Sequence, residues 1–149
     1  MTGKINIAIV DDNHFLQKAV AEKLSFYEDV FPKIFAANGA EIVEALVKEK
    51  HIDLILMDIE MPKMNGIEAT KIIKKNHPQI KIIMLTVFDN DEHIFNAIQA
   101  GADGYLMKEV APDVLYDGIC ETLKGGAAMN PSIAMKTLKL LRNPVDFSK

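Results

Sequence analysis

The chain has 149 residues, 49% of them apolar and 26% charged, the proportions of an ordinary soluble globular domain with one shared core. Its 17 lysines and arginines against 21 acidic residues give a formal charge of −4, which argues against a chain built to coat nucleic acid. No apolar run nears the roughly 18 residues of a membrane span, the opening residues turn acidic at Asp11 before a signal-peptide core could form, and Cys120 has no second cysteine to pair with, which suits a reducing cytoplasm.

Ile5–Val10 has the few polar interruptions of a strand covered on both faces. After Asn13, residues Leu16, Ala19, Val20, Leu24 and Tyr27 recur at helical spacing, which predicts a helix to about Tyr27. Phe31–Ala36 reads as a second strand, and Pro32 near its start suits a sheet edge. Asn38 with Glu41 reads as a cap and its box partner, ahead of a helix burying Ile42, Val43, Leu46 and Val47. Leu54–Met57 is a third strand, ending at Asp58. The loop from Met61 to Met64 leads to a cap at Asn65 and a helix burying Ile67, Ile72 and Ile73, closed by Pro78. Lys81–Thr86 is strand four, and a helix from Asp91 to about Ala100 ends at Gly101. Gly104–Met107 is strand five, followed by a helix from about Pro112 to Lys124.

Five β–α units in strict alternation imply an α/β fold, a doubly wound parallel sheet with helices on both faces, over residues 1–125. Gly125 and Gly126 interrupt the alternation. Asn130 and Pro131 then read as cap and first residue of a sixth helix, with Ala134, Leu138 and Leu141 sharing one face and Pro144 ending it. Residues 126–149 are expected to be a linker helix and tail, with no core signal from Asn143 on.

In an open α/β sheet the crevice beyond the carboxyl ends of the strands is where ligands bind. Asp11 and Asp12 follow strand one, Asp58 follows strand three, Thr86 ends strand four and Lys108 follows strand five. Two carboxylates about 4 Å apart repel by roughly 4 kcal/mol at an effective dielectric near 20. Three of them therefore call for a counter-charge. Lys108 supplies one, and oxygen-only donors favour Mg²⁺ over zinc as the other. A carboxylate can also attack phosphorus to form an aspartyl phosphate, with the Thr86 hydroxyl and the Lys108 ammonium left to hold the phosphoryl oxygens. By contrast, His14, His51, His77 and His93 are scattered without ligand spacing, and Lys71, Lys74, Lys75, Lys136, Lys139 and Arg142 read as solvated helix faces.

With Asp11-Asp12, the run from Leu54 through Asp58-Ile59-Glu60-Met61-Pro62 to Gly66, Leu85-Thr86, the run from Gly101 to Leu106, and Lys108 in this order, the sequence resembles a two-component response-regulator receiver domain of the CheY-like superfamily. The resemblance covers residues 4–125 and implies the strand order 2-1-3-4-5. It implies that Asp58 accepts phosphate from the phosphohistidine of a sensor histidine kinase. Asp11, Asp12, Asp58 and the main-chain carbonyl of Glu60 would hold Mg²⁺, Thr86 and Lys108 would contact the phosphoryl group, and Tyr105 would be the aromatic switch that turns inward as Thr86 moves.

Two positions depart from the family's habit. Glu109 follows Lys108 where many receivers have proline, and Val87 follows Thr86 where Ala, Ser or Gly is frequent. A β-branched Val87 is expected to narrow access to the phosphoryl pocket and slow hydrolysis. The missing proline, the Gly125-Gly126 pair and the tail helix resemble the NarL/FixJ subfamily, in which a linker joins the receiver to a LuxR-type helix-turn-helix domain. That implies DNA as a partner only through an output domain not in this chain. The readout of phosphorylation is expected to be a homodimer or release of an attached domain, and the short apolar runs argue against a membrane partner. Other readings are a stand-alone receiver acting by docking, a haloacid-dehalogenase-type phosphatase, whose acids come in a different order, and a flavodoxin-like carrier, whose phosphate Asp11 and Asp12 would repel.

Overall fold

The computed structural model describes residues 3–49 and 51–143. Five strands, β1 (Ile5–Val10), β2 (Val30–Ala36), β3 (Leu54–Met57), β4 (Lys81–Thr86) and β5 (Gly104–Met107), form one parallel sheet in the order β2-β1-β3-β4-β5. The helices are α1 (His14–Leu24), α2 (Gly39–Lys48), α3 (Gly66–Asn76), α4 (Asp91–Ala100), α5 (Pro112–Leu123) and α6 (Pro131–Arg142). Among the described residues no helix is long and apolar enough to cross a membrane.

The strand period of two sorts the core into two layers. Ile7, Ile9, Leu54, Leu56, Ile83, Leu85 and Leu106 face α1 and α5, packing on Val20, Leu24, Leu115 and Ile119. Ala8, Val10, Ile55, Met57, Ile82, Met84 and Tyr105 face the opposite layer, with Ile42, Leu46, Ala69, Ile73, Ile94, Ala97 and, from α6, Ile133 and Leu140. Because both faces are covered, the central strands read as unbroken apolar runs. Pro32 does lie in the edge strand, and a register shift opposite Ile7 and Ala8 leaves Lys33 as a bulged residue.

Four expectations are corrected. First, α1 stops at Leu24, not Tyr27: the Ser25 hydroxyl donates to the Glu22 carbonyl, and turns closed by the N–H groups of Tyr27 and Val30 follow. Tyr27 keeps its inward direction from a turn, stacked flat on Tyr116 with ring centroids 3.9 Å apart. Second, Val47 is exposed, since it lies about 100° round the helix from Leu46 and so leaves the line of Ile42 and Leu46. Within the same element, Glu41 accepts from the Ala37 N–H rather than from that of Asn38, displacing the capping box by one residue.

Third, α6 buries Ile133 and Leu140, while Leu138 and Leu141 are exposed. The helix carries two apolar lines, and α4 takes the other one. Asn130 does stand ahead of Pro131, but its amide oxygen accepts from the Met107 N–H at 2.7 Å instead of capping the helix. Pro144 and the rest of the tail lie outside the described residues. Fourth, two lysines read as solvated are engaged. Lys74 donates to the Ile80 carbonyl and to Asp103, both at 2.9 Å, and Lys136 to the Asp89 carbonyl at 2.7 Å.

Candidate functional site

The sheet's hydrogen-bond ladder runs one residue past the strands, and that is what levels the site. The Asp11 N–H donates to Ala36, the Asp58 N–H to Val10 and the Lys108 N–H to Thr86, at 3.0, 2.9 and 3.0 Å. Each functional residue thus has its backbone set by a neighbouring strand before its side chain makes any contact. Gln17 adds a further tie: its buried amide donates to the main-chain carbonyls of Asp11 (2.7 Å) and Ala36 (2.9 Å). Sequence reasoning missed Gln17, although a polar residue on the buried line of Val20 and Leu24 is a usable signal. Gly66 sits directly against the loop after β3. A Cβ there would lie 1.8 Å from the Asp58 carbonyl oxygen, so the start of α3 can pack in place only with glycine.

Asp11, Asp12 and Asp58 each offer a carboxylate oxygen within 4.8 Å of the others. Asp11 and Asp58 are buried, and Asp12 is exposed. One Asp11 oxygen accepts from the Asn13 N–H at 2.9 Å, and one Asp58 oxygen from the Ile59 N–H at 2.8 Å. Their second oxygens share the Lys108 ammonium, at 2.6 Å from Asp11 and 2.9 Å from Asp58. The donor set is carboxylate oxygen alone, open to solvent at Asp12, and it fits a hard cation such as Mg²⁺ that keeps several waters.

Burial pushes the Asp58 carboxyl above the ordinary carboxylate range, and the Asp11 charge adds to the rise. The Lys108 hydrogen bond and charge and the Ile59 N–H pull the other way without cancelling it. For Lys108 burial acts downward, but its hydrogen bonds to Asp11 and Asp58 and their charges outweigh it, so its ammonium is held above the ordinary lysine value. A cation and two carboxylates, two of the three buried, thus form a charged knot below the exposed Asp12.

The remaining expected residues stand as follows. Thr86 is fully buried, its hydroxyl accepting from the Phe88 N–H at 3.3 Å. Tyr105 is also buried, and its hydroxyl donates to the Phe88 carbonyl at 2.5 Å. Burial, with the charges of Asp89 and Asp58 behind it, raises the Tyr105 phenol. Both residues expected to form the switch therefore grip the two main-chain groups of Phe88. Val87 is half exposed between them in sequence. Glu60 has its carboxylate 2.8 Å from Nε2 of His93, whose Nδ1 lies 2.7 Å from the Asn90 amide oxygen. His93, unremarkable in the sequence, ties the loop after β3 to α4. The Lys108–Glu109 peptide is trans, as are the others among the described residues.

A parallel sheet in the order 2-1-3-4-5 with an acidic cluster at its carboxyl edge defines a class. The chain belongs to the response regulator receiver domain family, whose model matches residues 7–119. More particularly, it resembles transcriptional regulators of the NarL/LuxR type. It is 33% identical over 143 residues to the transcriptional regulatory protein DegU of Brevibacillus brevis, covering 96% of this chain and 60% of that protein. It is 36% identical over 132 residues to the response regulator VraR of Staphylococcus aureus, covering 89% and 63%. This chain thus spans about 60% of the length of the curated relatives it matches. Among solved structures, a LuxR-family response regulator from Aurantimonas sp. SI85-9A1 superposes with a TM-score of 0.86 at 26% identity, covering 95% of this chain and all (100%) of that one. The isolated receiver of RcsB from Salmonella enterica, determined with the phosphomimetic BeF₃⁻, shares the fold at 23% identity and a TM-score of 0.81, covering 90% and 99%.

Proposed function

We propose that Asp58 accepts a phosphoryl group from the phosphohistidine of a sensor histidine kinase in a Mg²⁺-dependent reaction, and that the modified domain controls transcription through a DNA-binding domain outside this chain. The observation that carries the proposal is the shared Lys108 ammonium, which holds the buried Asp58 carboxylate beside Asp11 in an acidic cluster that reaches solvent at Asp12. When held by Asp11, Asp12, Asp58 and the Glu60 main-chain carbonyl, Mg²⁺ supplies the charge that lets phosphoryl oxygens approach three carboxylates.

An Asp58 oxygen attacks phosphorus as the phosphorus–nitrogen bond to the imidazole breaks, and the imidazole leaves as the neutral base on taking up a proton. Ionisation of Asp58 is a precondition, and Lys108 favours it. The same ammonium then turns from the carboxylates to a phosphoryl oxygen. Thr86 rotates its hydroxyl from the Phe88 N–H toward another. Because Tyr105 holds the carbonyl of that same Phe88, displacement of Thr86 reaches the aromatic ring through a single residue, Phe88. The added charge, about −1.5 to −2, biases this two-state element and favours a homodimer.

The test is incubation with acetyl phosphate or a kinase donor in Mg²⁺, followed by intact-mass measurement. One phosphoryl group is expected on the wild type and none on Asp58→Asn. Modification of both proteins alike would overturn the assignment. Sedimentation with and without beryllofluoride checks the dimer, and identical mass in both states would count against it.

A further inference from the structure

Residues 108–111 join β5 to α5, and two carbonyls of this loop are held by a residue far away in sequence. The Lys23 ammonium, in the last turn of α1, donates to the Lys108 carbonyl and to the Val110 carbonyl, both at 2.9 Å. A lysine in the last turn of a helix ordinarily complements that helix's own terminal carbonyls or stays hydrated. Lys23 is instead partly buried, takes part in no ion pair among the described residues, and spends its charge on another segment's backbone.

Besides the clamp, the loop is held by the Val110 side chain, buried in the layer of Leu106 and Leu115, and by two amides of its own. Lys108 and Val110 use their N–H groups on Thr86 and Met107, while Glu109 between them is exposed and lacks the fixed φ of a proline. A flexible four-carbon stem must nonetheless place the Lys108 ammonium within 2.6 and 2.9 Å of two carboxylates. Its backbone therefore needs a brace on each side. Since α1 follows directly on Asp11 and Asp12, the brace also joins the lysine loop to the element that follows the acidic pair.

We propose that Lys23 is a positioning residue for phosphoryl transfer, clamping the Lys108 and Val110 carbonyls so that the Lys108 ammonium is aimed at the phosphoryl group on Asp58. The inference rests on the Asp58 phosphoacceptor reading, and the experiment separates the two. Titration calorimetry gives the beryllofluoride affinity at saturating Mg²⁺ and, separately, the affinity for Mg²⁺ alone. Lys23→Met keeps the aliphatic stem and removes the clamp, and Lys23→Arg retains donors. Lys23→Gln, whose shorter side chain withdraws the donor from the two carbonyls but stays polar, stands in with the same expected loss if circular dichroism shows the methionine variant unfolded.

Loss of a residue that supports a ligating group typically costs 10- to 100-fold, so Lys23→Met is expected to weaken beryllofluoride binding by about tenfold, with Lys23→Arg recovering most of it. Mg²⁺ affinity is expected to hold or tighten, because Asp11, Asp12 and Asp58 do not depend on the clamp. Unchanged beryllofluoride affinity in the variant overturns the role of Lys23, as does an equal loss for beryllofluoride and Mg²⁺. Failure of the wild type to bind beryllofluoride overturns the phosphoacceptor reading instead.

Discussion

Lys108→Met is the sharpest probe of the charged knot, because it keeps the stem and deletes only the ammonium. The side chains of Lys108, Asp11 and Asp58 are 12%, 6% and 8% exposed, so this is a buried cluster. Removing one partner of a buried ion pair costs about 3–5 kcal/mol, since the charges left behind are uncompensated. Part of that is recovered when Asp58 takes up a proton, placing the expected loss in metal-free protein at neutral pH near the lower end of that range. Mg²⁺ should then stabilise the variant more than the wild type. An ammonium about 5 Å from a divalent cation repels it by about 1–2 kcal/mol even at the dielectric of water, so Mg²⁺ affinity should rise roughly tenfold. Urea unfolding in EDTA and across a Mg²⁺ titration measures both quantities. The pH dependence has a definite sign. Burial raises the Asp58 carboxyl above its unfolded value, so the folded state binds the extra proton, and stability falls as pH rises through the interval between the two. Loss of Lys108 widens that interval, so the variant's deficit should shrink on acidification. A variant as stable as the wild type in EDTA, or one that gains no extra stability from Mg²⁺, would refute the reasoning.

Gly66→Ala should be the most damaging small substitution near the site. Its methyl would meet the Asp58 carbonyl at 1.8 Å, and relieving such an overlap costs at least about 1–3 kcal/mol; a drop in thermal midpoint with slowed phosphorylation would show it. Tyr105→Phe removes the hydroxyl that holds the Phe88 carbonyl, for about 1 kcal/mol. Faster hydrogen exchange in the segment from Val87 to Asn90, at unchanged Mg²⁺ affinity, is the expected signature. Val87→Ala should speed loss of the phosphoryl group, read by intact mass over time, and an unchanged rate would end the steric argument.

The strands that carry the site were legible for a physical reason. A strand covered on both faces has to be an apolar run, so Leu54–Met57, the stretch 82–85 and Gly104–Met107 stand out, and the first polar residue after each, Asp58, Thr86 and Lys108, falls at the carboxyl edge. What one sequence could not reveal depends on neighbours distant along the chain. Tyr27 fits a helical period equally well from a turn, because only its inward direction is selected. On α6 two apolar lines compete, and the position of α4 decides between them. Lys23 and His93 have partners 85 and 33 residues away, and no local spacing announces them. The raised Asp58 carboxyl is likewise a product of burial rather than of the residue's sequence context.

The segment beyond α5 closes the rim of the sheet. Gly104 has no Cβ, which would lie 2.8 Å from the Ala128 carbonyl, so the returning chain can lie close beside β5. There the Tyr105 N–H goes to Ala128 and the Met107 N–H to the Asn130 side chain. At the opposite rim Pro32 and the bulged Lys33 break the regular row of donors. A foreign strand seeking to extend the ladder meets spent amides on one flank and a broken comb on the other. Strand-to-strand addition is therefore disfavoured at both rims, and the proposed homodimer would have to form through helical surfaces.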